Sequence, residues 1–193
     1  MSKEITTNSL RKFNFIMAGL HATQGLAILL LSKGFSLPIS GSYLQFNEST
    51  QQLSPATANL FSVSLPLLIA GFLFLSAVAH LLIASVYNNI YSKNLAKGIN
   101  KARWIEYSIS ASIMMVAIAL LVGMYDFVSL LMVFALVAIM NLLGLVMEVH
   151  NQTTKKTNWL SYWIGCLAGI VPWIAVVIYF ALANNKGSGA PTF

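Results

Sequence analysis

Arg103-Trp104-Ile105-Glu106-Tyr107-Ser108-Ile109-Ser110 opens an apolar run that continues to Met124, and Glu106 is the only charged residue from Ile105 to Met124. The run matches the ~20 residues that cross a bilayer as a helix. A carboxylate within such a helix costs roughly 2.5–3.5 kcal/mol at the helix centre on insertion scales, so it is expected to have a partner and a task. Four more runs of this kind lie in the chain. The expected spans are about 13–31, 60–90, 104–124, 127–147 and 159–183.

Composition points the same way. Hydrophobic residues make up 58% and charged residues 8% of the 193. A soluble domain carries about 25% charged residues, so most of this surface faces lipid. The reading is an all-α integral membrane protein, a single transmembrane domain over residues 1–193. Met1 to Lys12 is polar and the run after it is too long for the apolar core of a signal peptide, so no leader is expected. The single cysteine, Cys166, excludes an internal disulfide and a cysteine-rich metal site. The net charge of +6 sits at helix ends, which argues for membrane topology and against a nucleic-acid partner.

Basic residues set the orientation. Lys3, Arg11 and Lys12 precede the first span, Lys93, Lys97, Lys101 and Arg103 lie between the second and third, and Lys155 and Lys156 lie between the fourth and fifth. The other side has only Lys33 and Lys186. The N-terminus is therefore expected in the cytoplasm. The loop 33–59 is then external. Phe35 to Ile39 and Ser42 to Phe46 alternate around Ser40-Gly41, which predicts a short β-hairpin turning at Gly41. An isolated hairpin is marginal, so it should pack on helix ends or on another subunit. The second span is longer than a bilayer needs, and Pro66 in its first turns could kink it. Gly123 to Asp126 reads as a tight turn joining antiparallel spans.

Three ionisable residues fall inside spans: His21, His80 and Glu106. At ~1.5 Å rise per residue from the flanking basic residues, all three lie in the cytoplasmic half of the membrane. One reading is a shared polar cavity. The other is separate roles, with each histidine a neutral hydrogen-bonding group between helices and Glu106 an interface anchor paired with Arg103. Ser110 lies four residues beyond Glu106, on the same helical face, where its hydroxyl can donate to the carboxylate. Glu148, His150 and Asn151 read as solvated interface residues.

Metal binding has little support, because the two histidines and the carboxylate sit on three spans without a local ligand spacing. No serine is set by sequence against a histidine and an acid, and no glycine-rich phosphate loop occurs, so no enzymatic activity is expected. Met114, Met115, Met140, Tyr162, Trp163, Trp173 and Tyr179 lie in or near the last three spans. Such stripes are commonly packing, but Pro172-Trp173 in mid-span can kink the helix and open a pocket.

The stretch from Arg103 to Ser110 resembles the third-helix motif of the heliorhodopsins. Trp163-Ile164-Gly165-Cys166-Leu167-Ala168-Gly169-Ile170-Val171-Pro172-Trp173-Ile174 closely resembles their fifth helix. Phe35-Ser36-Leu37-Pro38 with Gly41-Ser42-Tyr43-Leu44 is similar to the start of their long external loop, and His21 and His80 stand at the family's membrane histidines. The resemblance implies a rhodopsin-like helical bundle, with five of seven expected transmembrane helices present, in a multi-pass protein of the cell membrane. It implies a photoreceptor, sensory or regulatory and typically a homodimer, binding all-trans retinal on a lysine as a protonated Schiff base. Glu106 would then be the counterion and Ser110 its hydrogen-bond partner. His21 and His80 would belong to a polar cavity on the cytoplasmic side, and Tyr107, Met114, Met140, Trp163, Pro172 and Trp173 would surround the polyene. The alternative is a proton or ion transporter using His21, His80 and Glu106 as a relay.

The family carries its retinal lysine in the last of seven helices, whereas every lysine here lies at a span end or in a loop. The tail from Asn184 to Phe193 reads as a connecting loop. The expectation is a fragment of a longer polypeptide whose further helices supply that lysine.

Overall fold

A computed structural model describes residues 7–186. The N-terminal residues with Lys3, and the end of the tail from Gly187 to Phe193, lie outside the described residues. The elements are α1 (Thr7–Leu31), β1 (Ser36–Asn47), β2 (Gln52–Ser64), α2 (Leu65–Ala84), α3 (Asn88–Ala96), α4 (Lys101–Leu121), α5 (Phe127–His150) and α6 (Leu160–Lys186). Five of them, α1, α2, α4, α5 and α6, are long and apolar enough to cross a membrane. Each packs on the next in chain order, and α4 also touches α6.

Local chemistry fixes the helix ends. Asn100 caps α4 by accepting from the Arg103 backbone N–H at 3.1 Å. Asp126 caps α5, its Oδ2 accepting from the Ser129 N–H at 2.9 Å and the Ser129 hydroxyl at 2.8 Å. These caps satisfy donors that a helix start otherwise leaves unpaired. Gly123, at φ 97°, takes the left-handed conformation that turns α4 back towards α5.

Two expectations are corrected. The hairpin does not turn at Gly41. β1 and β2 pair from Ser36↔Ser64 to Asn47↔Gln52, and the turn spans Glu48 to Gln51. Asn47 Oδ1 closes it by accepting from the N–H of Ser49 at 3.0 Å and of Thr50 at 3.3 Å. The long ladder satisfies far more backbone groups than two five-residue strands would, and Gly41 sits within it beside a bulge at Ile39/Ser40.

The second span is also shorter than 60–90. Leu60 to Ser64 belong to β2, the helix stops at Ala84, and α3 is a separate short helix. Pro66 stands at the first positions of α2, where a missing N–H costs no hydrogen bond, and so does not kink the span.

The hairpin base is anchored to the bundle. Ser40 donates its N–H to Tyr125 O at 2.9 Å, and Leu65 donates to Phe35 O at 3.0 Å. Leu37 and Ile39 enter a core built with Met115, Leu120, Met124, Leu130, Val133 and Val176. The outer half remains uncovered, with Tyr43, Leu44, Phe46 and Leu53 all exposed. The apolar core thus lies towards the hairpin end, and the polar residues gather at the opposite, basic end.

Candidate functional site

α1, α2 and α4 meet at that basic end around a cavity of about 180 Å³, lined among others by Asn14, His80, Arg103, Glu106 and Tyr107. Arg11 closes the α1–α2 contact, its Nε donating to Ala84 O at 2.8 Å. His21 and His80 stack with ring centroids 5.5 Å apart and planes 20° off parallel.

Both imidazoles are oriented by amides. Asn14 is buried and spends its Nδ2–H on Leu10 O at 2.8 Å, so its Oδ1, 2.7 Å from His80 Nδ1, is the acceptor. His80 Nδ1 therefore carries the proton, and in the neutral ring Nε2 holds the lone pair. Gln24 Oε1 faces His21 Nδ1 at 3.2 Å, which sets the same tautomer there. The stacking brings the two imidazoles together between α1 and α2.

Glu106 does not pair with Arg103. The Arg103 guanidinium is turned to α5, where Nη2 donates to Glu148 Oε1 at 2.8 Å, and it lies 4.4 Å from the centre of the Trp104 ring. Glu148 Oε2 accepts from the Asn100 backbone N–H at 2.6 Å. Glu148 is thus not a solvated interface residue: its side chain is 14% exposed. The indole fits because Gly144 has no side chain; a Cβ there would fall 2.5 Å from the Trp104 ring.

The hydroxyl on Glu106 is that of Ser76, from α2, whose Oγ donates to Oε1 at 2.5 Å. Ser110 is buried and makes no hydrogen bond to Glu106 among the described residues. Helical spacing puts Ser110 within reach of Glu106, but the carboxylate takes the Ser76 hydroxyl from the facing helix α2 instead. The other hydroxyls of α4 are satisfied by their own helix: Ser108 donates to Ile105 O and Ser112 to Ser108 O, each at 2.7 Å.

The remaining predicted residues are spread out. Tyr107 lines the cavity with Glu106. Pro172 is buried inside α6 and lines a second cavity with Met132, Val133 and Tyr179. Met140 packs where Gly165 and Gly169 let α6 approach α5. Met114, Trp163 and Trp173 are left uncovered by the described chain. Sequence reasoning missed Asn14, Gln24 and Ser76. Helical spacing would have found all three: Ser76 lies four residues before His80, Asn14 seven before His21 and Gln24 three after His21, each on its histidine's face.

A bundle of membrane-crossing helices that brings one half-buried carboxylate and two half-buried imidazoles to one end defines a polytopic membrane protein with a polar site between its helices. The chain belongs to the heliorhodopsin family, whose model matches residues 10–193. It is a retinal-binding, rhodopsin-type membrane protein. No curated protein matches it closely enough to count as a relative.

The donor set suits a cationic chromophore. Glu106 is a half-buried carboxylate with one hydroxyl donor and no ion pair among the described residues. The five spans carry no lysine in their interiors: the lysines lie at span ends and in loops.

Proposed function

We propose that the protein is a heliorhodopsin-type light sensor in the cell membrane, with Glu106 as the counterion of all-trans retinal. Retinal, held as a protonated Schiff base on a lysine outside the five spans, supplies the light absorption and the positive charge. The observation that carries the reading is the state of Glu106. It is a carboxyl group in an apolar helix, the guanidinium next to it in sequence is held by Glu148, and its one hydrogen bond among the described residues comes from a neutral hydroxyl. A negative charge there is costly unless a cation is supplied at the site.

In this reading Ser76 orients Glu106, and Ser110 is a buried hydroxyl one turn further along α4. His80 lines the polar cavity, while His21 is outside its lining and joins it only by stacking on His80. Tyr107, Met114, Met140, Trp163, Pro172 and Trp173 face the polyene in the assembled protein. The five spans make one domain with a cytoplasmic N-terminus, and the uncovered outer hairpin pairs two copies. The test is Glu106→Gln in the full-length chain supplied with retinal. The visible band shifts substantially if Glu106 is the counterion; an unchanged band removes it from that role.

The stacked histidines favour a second reading, a relay from Glu106 through His80 and His21 that moves protons. Illuminated vesicles would then show a pH change abolished by a protonophore and lost in His80→Ala. No pH change would leave the sensor alone.

A further inference from the structure

The cation nearest to Glu106 in sequence is Arg103, three residues earlier on α4. Residues three apart on a helix are neighbours, and a long guanidinium side chain spans that distance with ease. Arg103 also lines the same cavity as Glu106. Left free, it would fold onto Glu106, as the sequence itself suggested. Glu148 prevents this from α5. Its two oxygens take the guanidinium and the Asn100 N–H, while the Trp104 ring supports Arg103 from 4.4 Å. The other titratable groups lining the cavity are His80, Tyr91 and Tyr107, and none of them is a fixed cation.

We infer that Glu148 is a positioning residue for Glu106: by holding Arg103 on α5, it keeps the counterion carboxylate free of its nearest guanidinium. The inference rests on the counterion reading above. Arg103 is 42% exposed, and an ion pair with one partner so open to water adds little to stability. Its larger effect is on where the positive charge sits.

The decisive experiment compares Glu148→Gln, Arg103→Gln and the double variant in the full-length chain with retinal. In Glu148→Gln, Arg103 turns to Glu106 and screens it. The visible band then moves in the direction that Glu106→Gln moves it, and the pH at which the chromophore loses its proton falls by about one unit, a tenfold change, because an opposite charge favours the cationic form. Arg103→Gln alone leaves band and midpoint near wild type, and the double variant restores both. A double variant that keeps the shift of Glu148→Gln overturns the inference, as does a Glu148→Gln protein with wild-type band and midpoint.

A second readout needs no chromophore. Isotope-edited infrared spectra of the retinal-free protein should show the Glu106 carboxylate bands displaced in Glu148→Gln and restored in the double variant. Unmoved bands refute the inference even if Glu148→Gln folds too poorly to bind retinal. If Glu106→Gln fails to shift the pigment while these bands move, the counterion reading falls and the Arg103 exchange stands on its own. A purely structural role would lower stability in all three variants and move neither spectrum.

Discussion

Replacing Gly144 with alanine tests how the basic end is held together. An ideal Cβ at this position lies 2.5 Å from Cη2 and Cζ3 of Trp104 and 2.8 Å from Cε3. Ordinary carbon contacts sit at ~3.5–4.0 Å, so ring or helix must retreat by about 1 Å. The indole cannot bend, and its Nε1 is already buried without a hydrogen-bond partner among the described residues. Overpacking of this kind costs about 1–3 kcal/mol. Retreat of Trp104 also withdraws the surface on which Arg103 lies and so loosens its bond to Glu148. The assay is equilibrium unfolding in mixed detergent micelles of wild type, Gly144→Ala, Trp104→Leu and the double variant. Trp104→Leu removes the clashing ring, so the alanine should be tolerated there, with a coupling energy of about 0.5–3 kcal/mol. Strictly additive effects, or a Gly144→Ala protein as stable as wild type, would refute the proposed fit of Trp104 against Gly144.

At the opposite end, the Ser129 N–H and hydroxyl, with those of Ser42, hold the Asp126 carboxyl below its ordinary range. A depressed carboxylate stabilises the folded state above its unfolded pKa of ~3.9 and loses that contribution as pH falls through the lower folded value. Asp126→Ala should therefore cost about 0.5–2 kcal/mol at neutral pH and progressively less as pH falls below the ordinary carboxyl pKa of ~3.9, measured by melting across that range. A deficit independent of pH would show that the charge is immaterial. If the outer hairpin pairs two copies, as proposed, serine at Tyr43, Leu44, Phe46 and Leu53 should abolish a dimer seen in native mass spectrometry while leaving the fold intact; a dimer unchanged by these substitutions, or a monomeric wild type, would refute that pairing.

Tyr107 and Ser110 show how far a linear pattern reaches. Both stand on the helix that carries Glu106, Ser110 at a spacing and Tyr107 by a resemblance that invites a role beside it, yet one lines the cavity and the other makes no hydrogen bond to the carboxylate. Local spacing puts side chains on a face, but it does not say which helix that face meets. The hairpin repeats the lesson. Alternation marked Phe35 to Phe46 as strand, whereas the turn was chosen by the partner strand and by Asn47, beyond the reach of a glycine signal.

What the sequence determined by itself was the set of membrane-crossing helices and the rarity of charge within them, because hydrophobic length and buried charge are properties of a single segment. That His21, His80 and Glu106 fall towards one end of the bundle also follows from their places along the helices. Only the tertiary structure decided who pairs with whom. Arg103 goes to Glu148, 45 residues away, and Glu106 takes Ser76, 30 residues away, while its sequence neighbours Arg103 and Ser110 make no bond to it. Pairing depends on the rotation and register of packed helices, and these are set by contacts such as Trp104 against Gly144 that no single segment contains.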